Sequence, residues 1–210
     1  MSEVSVESAA TLWERRKLEA MSRIQRVALD LFDEHGYRAV TVERVAAAAG
    51  VSPSSIYRYF GTKEMLVLYD EQDPQVLEVL RTVGDGAVLD IGALVTIGRP
   101  LVPALIESMV TAETEARMRS RLHYVLTIPE VKDGQTRQMR EMEDQFRVLF
   151  AQRSGRDAND LRVRMTAATA VWGCVAGLDH WAGTGFAGSL RQVYAEVIAT
   201  VLDLIESIFR

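Results

Sequence analysis

Apolar residues recur at helical spacing along almost the whole chain, and no segment sustains the alternation of a half-buried strand between hairpin turns. The pattern predicts an all-α protein. A first helix is expected from about Trp13 to His35, because Ile24, Val27, Ala28, Leu31 and Phe32 fall at i, i+3, i+4, i+7 and i+8 on one stripe. Gly36 then stands where a helix turns left-handed and stops. A second helix is expected in "TVERVAAAAG". Thr41 caps it, Glu43 lies in the first turn where the helix dipole favours an acid, Val42, Val45, Ala46 and Ala49 face inward, and Gly50 closes it. The third begins at once, with Ser52 as N-cap and Pro53 at the first helical position, where a missing N–H costs nothing, and it ends at Gly61. Thr62 reads as the cap of a fourth helix, opened by Lys63, that Asp73-Pro74 kinks or divides.

Later helices are longer: Pro100 to Ala112, Glu115 to Leu126, Val131 to Arg153, Ala158 to Ala182 and Ser189 to Phe209. Their breaks fall at Pro129, at "SGRDAND" and at "GTGFAG". Gly84 to Gly98 gives no readable pattern. The change in helix length divides the chain into residues 1–65, ordered from about residue 11, and residues 66–210, with the fourth helix as connector.

A net charge of −5 over 210 residues speaks at first against a polyanionic partner, since phosphate binding leaves a basic footprint. Divided at residue 65, the picture changes. The first part carries nine Lys/Arg and nine Asp/Glu, so the acidic excess belongs wholly to the second. The single cysteine, Cys174, excludes an internal disulfide and suits a reducing compartment. The opening "MSEVSVESAATLWERRK" lacks the apolar core of a secretory signal. The most apolar run, Gly86 to Ile97, is broken by Asp90 and followed by Arg99 and Pro100, too short and interrupted for a membrane span. A cytoplasmic protein with no membrane partner is expected.

Three helices in about fifty residues, the second and third joined by "AGVS", form the helix-turn-helix pattern, whose second member can enter the DNA major groove. In the third helix Pro53, Ile56 and Phe60 share one side, and Ser54, Ser55, Tyr57 and Arg58 project from the other. Each projecting group has a use on DNA: Arg58 can reach base acceptors or a phosphate, the serine hydroxyls can donate to either, and Tyr57 and Tyr59 pair a hydroxyl with an apolar ring. Lys63 opposes the dipole of the helix it is read to open, which a phosphate would relieve. Thr41 and Arg44 are placed to clamp the backbone across the groove. The run Arg15, Arg16, Lys17 is either a solvated helix start or an arm along the DNA backbone.

The stretch "ALDLFDEHGYRAVTVERVAAAAGVSPSSIYRYFGTKEML", Ala28 to Leu66, resembles the TetR family of bacterial transcriptional regulators. It carries the family's Phe-x-x-x-Gly-Tyr helix end, Thr-Val start, Ala-Gly-Val-Ser turn, Ile-Tyr-x-Tyr-Phe and closing Lys-Glu. The resemblance implies that Thr41, Ser52, Ser55, Tyr57, Tyr59 and Lys63 lie on positions used against DNA. Ser54 departs from the glycine the family often has there. It also implies a helical C-terminal domain that dimerises through its last two long helices and holds a small-molecule pocket.

The remaining residues can be tested against that implication. Around the helix Val163 to Trp181, Met165, Ala168, Val175 and Ala176 lie on the side of Trp172, while Ala167, Ala170, Cys174 and Trp181 cluster opposite, so both faces are apolar. The small residues at 167, 170 and 174 suit close helix approach. The last helix, with Val197, Val201 and Ile205 among its apolar positions, likewise covers more than one stripe. Helices apolar on two sides lie either inside one domain or between two subunits; on the second reading Ala167, Ala170, Cys174, Trp181, Val197, Val201 and Ile205 are the expected interface of a homodimer, with the face of the earlier helix that meets the partner left open. Met118, Leu122, Met139, Met142, Phe146 and Trp172 are candidates for lining an apolar effector pocket, with ordinary core packing as the alternative for each.

Catalysis finds no constellation. Cys174 and His180 point about 120° apart on one helix, the three histidines show no metal-ligand spacing, and no glycine-rich phosphate loop follows a strand. The expected protein is a cofactor-free regulator, most often a repressor in families of this type, that binds a palindromic DNA operator as a homodimer and is released by a small, largely apolar effector. The alternative is a dimeric DNA-binding architectural or protein-contacting module without an effector.

Overall fold

The computed structural model of the protein describes residues 3–70, 73–84 and 86–209. Among them there is no strand, and contacts divide the chain into two compact units, Met1–Glu71 and Gln72–Arg210.

The first unit holds α1 (Glu3–His35), α2 (Val42–Ala49), α3 (Pro53–Phe60) and the single turn α4 (Met65–Leu68). Helix α1 starts well before Trp13, since no glycine or proline upstream interrupts it. Its seated stripe is rotated slightly from the expected one. Met21, Ile24, Ala28, Leu29 and Phe32 are buried, whereas Val27 and Leu31 lie at the edge. Gln25 joins the stripe at 4% exposure because its amide donates to the carbonyls of Val67 (3.2 Å) and Tyr69 (2.6 Å), satisfying the end of α4. Those two bonds, with Leu66, Val67 and Leu68 buried, tie α4 to the first unit, which runs to Glu71.

Thr62 does not cap α4. The helix starts at Met65 with Glu64 at its N-cap and no side-chain cap bond, and residues 61–64 form a bend. Helix α5 (Asp73–Thr82) is separate, as Asp73-Pro74 suggested.

In the second unit follow α6 (Ile91–Gly98), a 3-10 turn at Arg99–Leu101, α7 (Val102–Met109), α8 (Ala112–Thr127), α9 (Pro129–Ser154), α10 (Leu161–Gly183) and α11 (Leu190–Ile208). The run Ile91–Met109 reaches a mean hydropathy of 1.3 over 19 residues. It is no continuous α-helix, because the 3-10 turn divides it and Arg99 at the break pairs with Asp203 (2.9 Å) and Glu206 (3.0 Å).

Helices α10 and α11 pack at very short range. A methyl group on Gly173 would lie 2.6 Å from Val201 Cγ2, and one on Gly177 would overlap Val197. One apolar cluster joins α5, α6, α9, α10 and α11 around Ile91, Phe150, Val163, Ala167, Val171 and Ile205. Another joins α7, α8 and the facing ends of α10 and α11 around Ile106, Leu122, Trp181 and Leu190.

The segment that gave no sequence pattern is organised from a distance. Arg153, 6% exposed at the end of α9, donates to the carbonyls of Leu80 and Arg81 (2.7 Å each), Val83 (2.5 Å) and Ala87 (3.2 Å), while its own carbonyl accepts from Leu89 N–H at 2.7 Å. A buried cation is thereby matched by the orphan carbonyls at the C-terminus of α5, where the helix dipole is negative. Asp90 then caps α6 by accepting from Gly92 N–H at 2.9 Å.

Candidate nucleic-acid interface

Local chemistry fixes the α2–α3 pair. Thr41 Oγ1 accepts from Arg44 N–H (3.2 Å) to start α2. Gly50 ends it at φ 66, ψ 36, and its added Cβ would meet nothing, so the backbone angle and not space requires glycine. Ser52 Oγ accepts from Ser55 N–H (3.2 Å) to start α3, and stands 2.8 Å from Ser54 Oγ and 2.9 Å from Ser55 Oγ. Gly61, at φ 74, ends α3. An eight-residue helix is marginal in isolation. Ile56 and Phe60 seat this one by being buried, and Phe60 meets the Tyr69 ring edge-on at 5.7 Å.

The opposite face of α3 is in solvent. Ser54, Arg58 and Tyr57 are exposed, Tyr57 at 50%, and Ser55 and Tyr59 are half-buried. The Arg58 guanidinium lies over the Tyr59 ring, 5.0 Å from its centroid. Thr41 and Arg44 are exposed at the start of α2.

Lys63 differs from expectation. It lies in the bend between α3 and α4 instead of inside a helix, and its ammonium donates to the Tyr37 carbonyl at 2.5 Å while lying 4.3 Å from the Tyr37 ring centroid and 5.5 Å from that of Phe32. It has a structural role: it clasps the α3–α4 bend to the α1–α2 loop. In the basic run near the start of α1, the Arg15 side chain lies outside the described residues, Arg16 is exposed, and Lys17 lies 5.7 Å from the Trp13 ring centroid.

The six effector candidates do not converge. Met118 and Leu122 belong to the cluster around Trp181, while Met139, Met142, Phe146 and Trp172 pack in the cluster around Phe150. In the latter, Trp172 Nε1 donates to Glu143 Oε2 at 2.8 Å.

The proposed subunit face turns inward. Ala167, Val201 and Ile205 are buried in the cluster around Phe150, where Ala170 and Val197 also pack, and Trp181 is buried in the other cluster. Cys174 is partly covered, and burial pushes its thiol up to about 11. What faces out is the other side of α10, where Leu161 is 70% and Met165 46% exposed.

Sequence spacing missed the two glycines that set the α10–α11 approach, and missed Arg119, which lies 4.6 Å from the Trp181 ring centroid and 5.1 Å from that of Phe186 and bonds Glu115 at 2.6 Å. The same Glu115 accepts from Leu190 N–H at 3.0 Å, and these two contacts hold its carboxyl below the ordinary range. The signal in the sequence was Glu-x-x-x-Arg at helical spacing. Among the described residues no three metal-ligating side chains cluster.

Comparison with known proteins agrees with this layout. Residues 24–69 match the family model described as bacterial regulatory proteins, tetR family, and residues 100–209 match the MftR C-terminal domain. A Mycobacterium tuberculosis protein, provisionally named mycofactocin biosynthesis transcriptional regulator MftR, is 24% identical over 168 residues, spanning 80% of this chain and 82% of its own. A helix-turn-helix-type transcriptional repressor of the same organism is 29% identical over 111 residues; the match covers 50% of this chain and 58% of that protein. The fold is shared with Thermus thermophilus FadR, a transcriptional repressor crystallised in complex with lauroyl-CoA, at a TM-score of 0.51 and 21% identity over 87% of this chain and 93% of that one.

Proposed function

The chain belongs to the TetR family of bacterial transcriptional regulators, and from that premise we propose that it is a repressor whose homodimer binds a palindromic operator and releases it when a small, largely apolar effector is bound. The observation that carries the reading is α3, anchored through Ile56 and Phe60 and left with a polar, cationic outer face. We assign DNA binding to the first unit, through Thr41, Arg44, Ser52, Ser54, Ser55, Tyr57, Arg58, Tyr59 and Lys63, with Lys63 serving both the fold and a phosphate.

A helix of eight residues spans about 12 Å and meets only a few base pairs, so specificity calls for two copies on a two-fold site. The exposed apolar side of α10, with Leu161 and Met165, supports pairing there, on the face opposite to Ala167 and Trp181. Effector binding falls to the second unit. The half-buried Met139, Met142 and Trp172 supply adaptable apolar surface, and a protein of the same fold is known with lauroyl-CoA. The repressor assignment follows the relative that carries that name. A DNA operator as partner implies a cytoplasmic location.

Selection of bound DNA from a random pool tests the reading: one palindromic sequence is expected, bound by a dimer in sedimentation. An apolar compound that raises thermal stability should lower operator affinity, because it stabilises the state it binds. A stabilising ligand that leaves that affinity unchanged would favour an architectural protein instead.

A further inference from the structure

Of the nine DNA-facing candidates, three already serve the fold: Thr41 and Ser52 cap helices and Lys63 holds the Tyr37 carbonyl. The others on α3 are distinguished by direction. At about 100° per residue, with buried Ile56 and Phe60 marking the inward direction, Arg58 points about 180° away, Ser54 about 140°, and Tyr57 and Tyr59 about 80° to either side. A helix laid in the major groove with its anchored side toward its own protein carries Arg58 to the groove floor, where base edges lie. The two tyrosines then face the sugar-phosphate walls.

The guanidinium is also held. Its carbon lies 5.0 Å from the Tyr59 ring centroid, and Nη2 lies 3.5 Å from Ser55 Oγ and 3.4 Å from Tyr59 Oη. None of these contacts is with a carboxylate, so they restrain the group without neutralising it. A planar fork restrained on a ring loses less rotamer freedom on docking than a free side chain would.

Resting on the reading of α3 as a groove-binding helix, we infer that Arg58 reads a guanine in each operator half-site, donating two N–H groups to its O6 and N7, and that Tyr59 is the positioning residue that presents the guanidinium. Lysine or tyrosine contacts to phosphate fix register and carry no sequence information. Arg58 supplies a base identity.

The test is pool selection with the wild type and with Arg58→Ala, Tyr59→Phe and Tyr59→Leu, each checked for native helicity, followed by binding to the wild-type site over a salt series. The wild type should select a palindrome with a fixed G·C pair at one symmetry-related position. Arg58→Ala should keep the other positions, lose preference at that one, and bind the wild-type site about 5- to 150-fold more weakly per half-site. Tyr59→Phe, which keeps the ring, should retain the preference, and Tyr59→Leu should blur it. If Arg58→Ala selects the same palindrome with the G·C pair intact, and the slope of log K against log salt falls by about 0.9 per lost contact, Arg58 is a phosphate contact and the inference is overturned. A wild type that enriches no sequence overturns the operator reading along with it.

Discussion

Replacing Gly177 by alanine sets two effects of known size against each other. Alanine favours a helix interior by about 1 kcal/mol over glycine, so propensity alone predicts a more stable protein. Packing predicts the reverse. The new methyl group would overlap Val197 Cγ2 outright and stand 2.9 Å from Cγ1 and 3.1 Å from Cβ. A helical valine is largely confined to one χ1 rotamer, and rotation would not move Cβ, so α11 itself must shift. Forced overlap of this kind costs about 1–3 kcal/mol, and the position is near the upper end, leaving a net loss of about 1–2 kcal/mol. The assay is urea unfolding followed by far-UV circular dichroism at one fixed protomer concentration. With a slope of about 2 kcal/mol per molar urea the midpoint should fall by about 0.5–1 M. Val197→Ala in the Gly177→Ala background removes both clashing methyl groups and should restore part of the loss. Gly183→Ala, at the end of the same helix with nothing within 4 Å of its added Cβ, should not destabilise. A Gly177→Ala midpoint above that of the wild type would refute the close approach of α10 and α11.

Arg153→Met strands four carbonyls that now share one cation, and should cost about 3 kcal/mol or more, with amide exchange across residues 80–90 accelerated beyond the rest. Lys63→Met should lower stability by about 1–2 kcal/mol through its lost bond to Tyr37; a shallower salt dependence of operator binding in the same variant would show that it also meets phosphate. The Cys174 thiol, raised from 9.0 to about 11 by burial, favours the folded state only while protonated. Its contribution is whole below pH 9 and declines as pH rises from 9 to 11, by at most about 1.4 kcal/mol per unit, read as the stability difference between wild type and Cys174→Ala. Met165→Glu places charge on the exposed apolar side of α10 and should shift the sedimentation profile from dimer to monomer at micromolar concentration, with circular dichroism unchanged.

The first unit was readable because its instructions are local. Thr41, Ser52, Pro53, Gly50 and Gly61 act on residues within a turn of themselves, so spacing alone places α2 and α3 and the outward face of α3. Lys63 was not readable, because what it serves is a carbonyl 26 residues earlier. Gln25 was missed for the same reason, its acceptors lying more than 40 residues on. In the second unit a helical wheel shows that α10 is apolar on two sides and cannot say which side meets the chain's own core. The alanines suggested one answer, and the true close approach runs through Gly173 and Gly177 against Val201 and Val197. Methionines on α8 and α9 look alike in sequence, and only the fold sends Met118 to one cluster and Met139 and Met142 to another.

Arg99 and Arg153 both join distant parts of the second unit, and they are answered by different kinds of partner. Arg99 depends on the carboxylates of Asp203 and Glu206 at a partly exposed position, where dissolved ions screen the pairing. Arg153 depends on amide oxygens, and its burial seals it from counter-ions. The joint between the end of α9 and the end of α5 should therefore keep the same grip in a salt-stressed cell, while the one between Arg99 and α11 loosens.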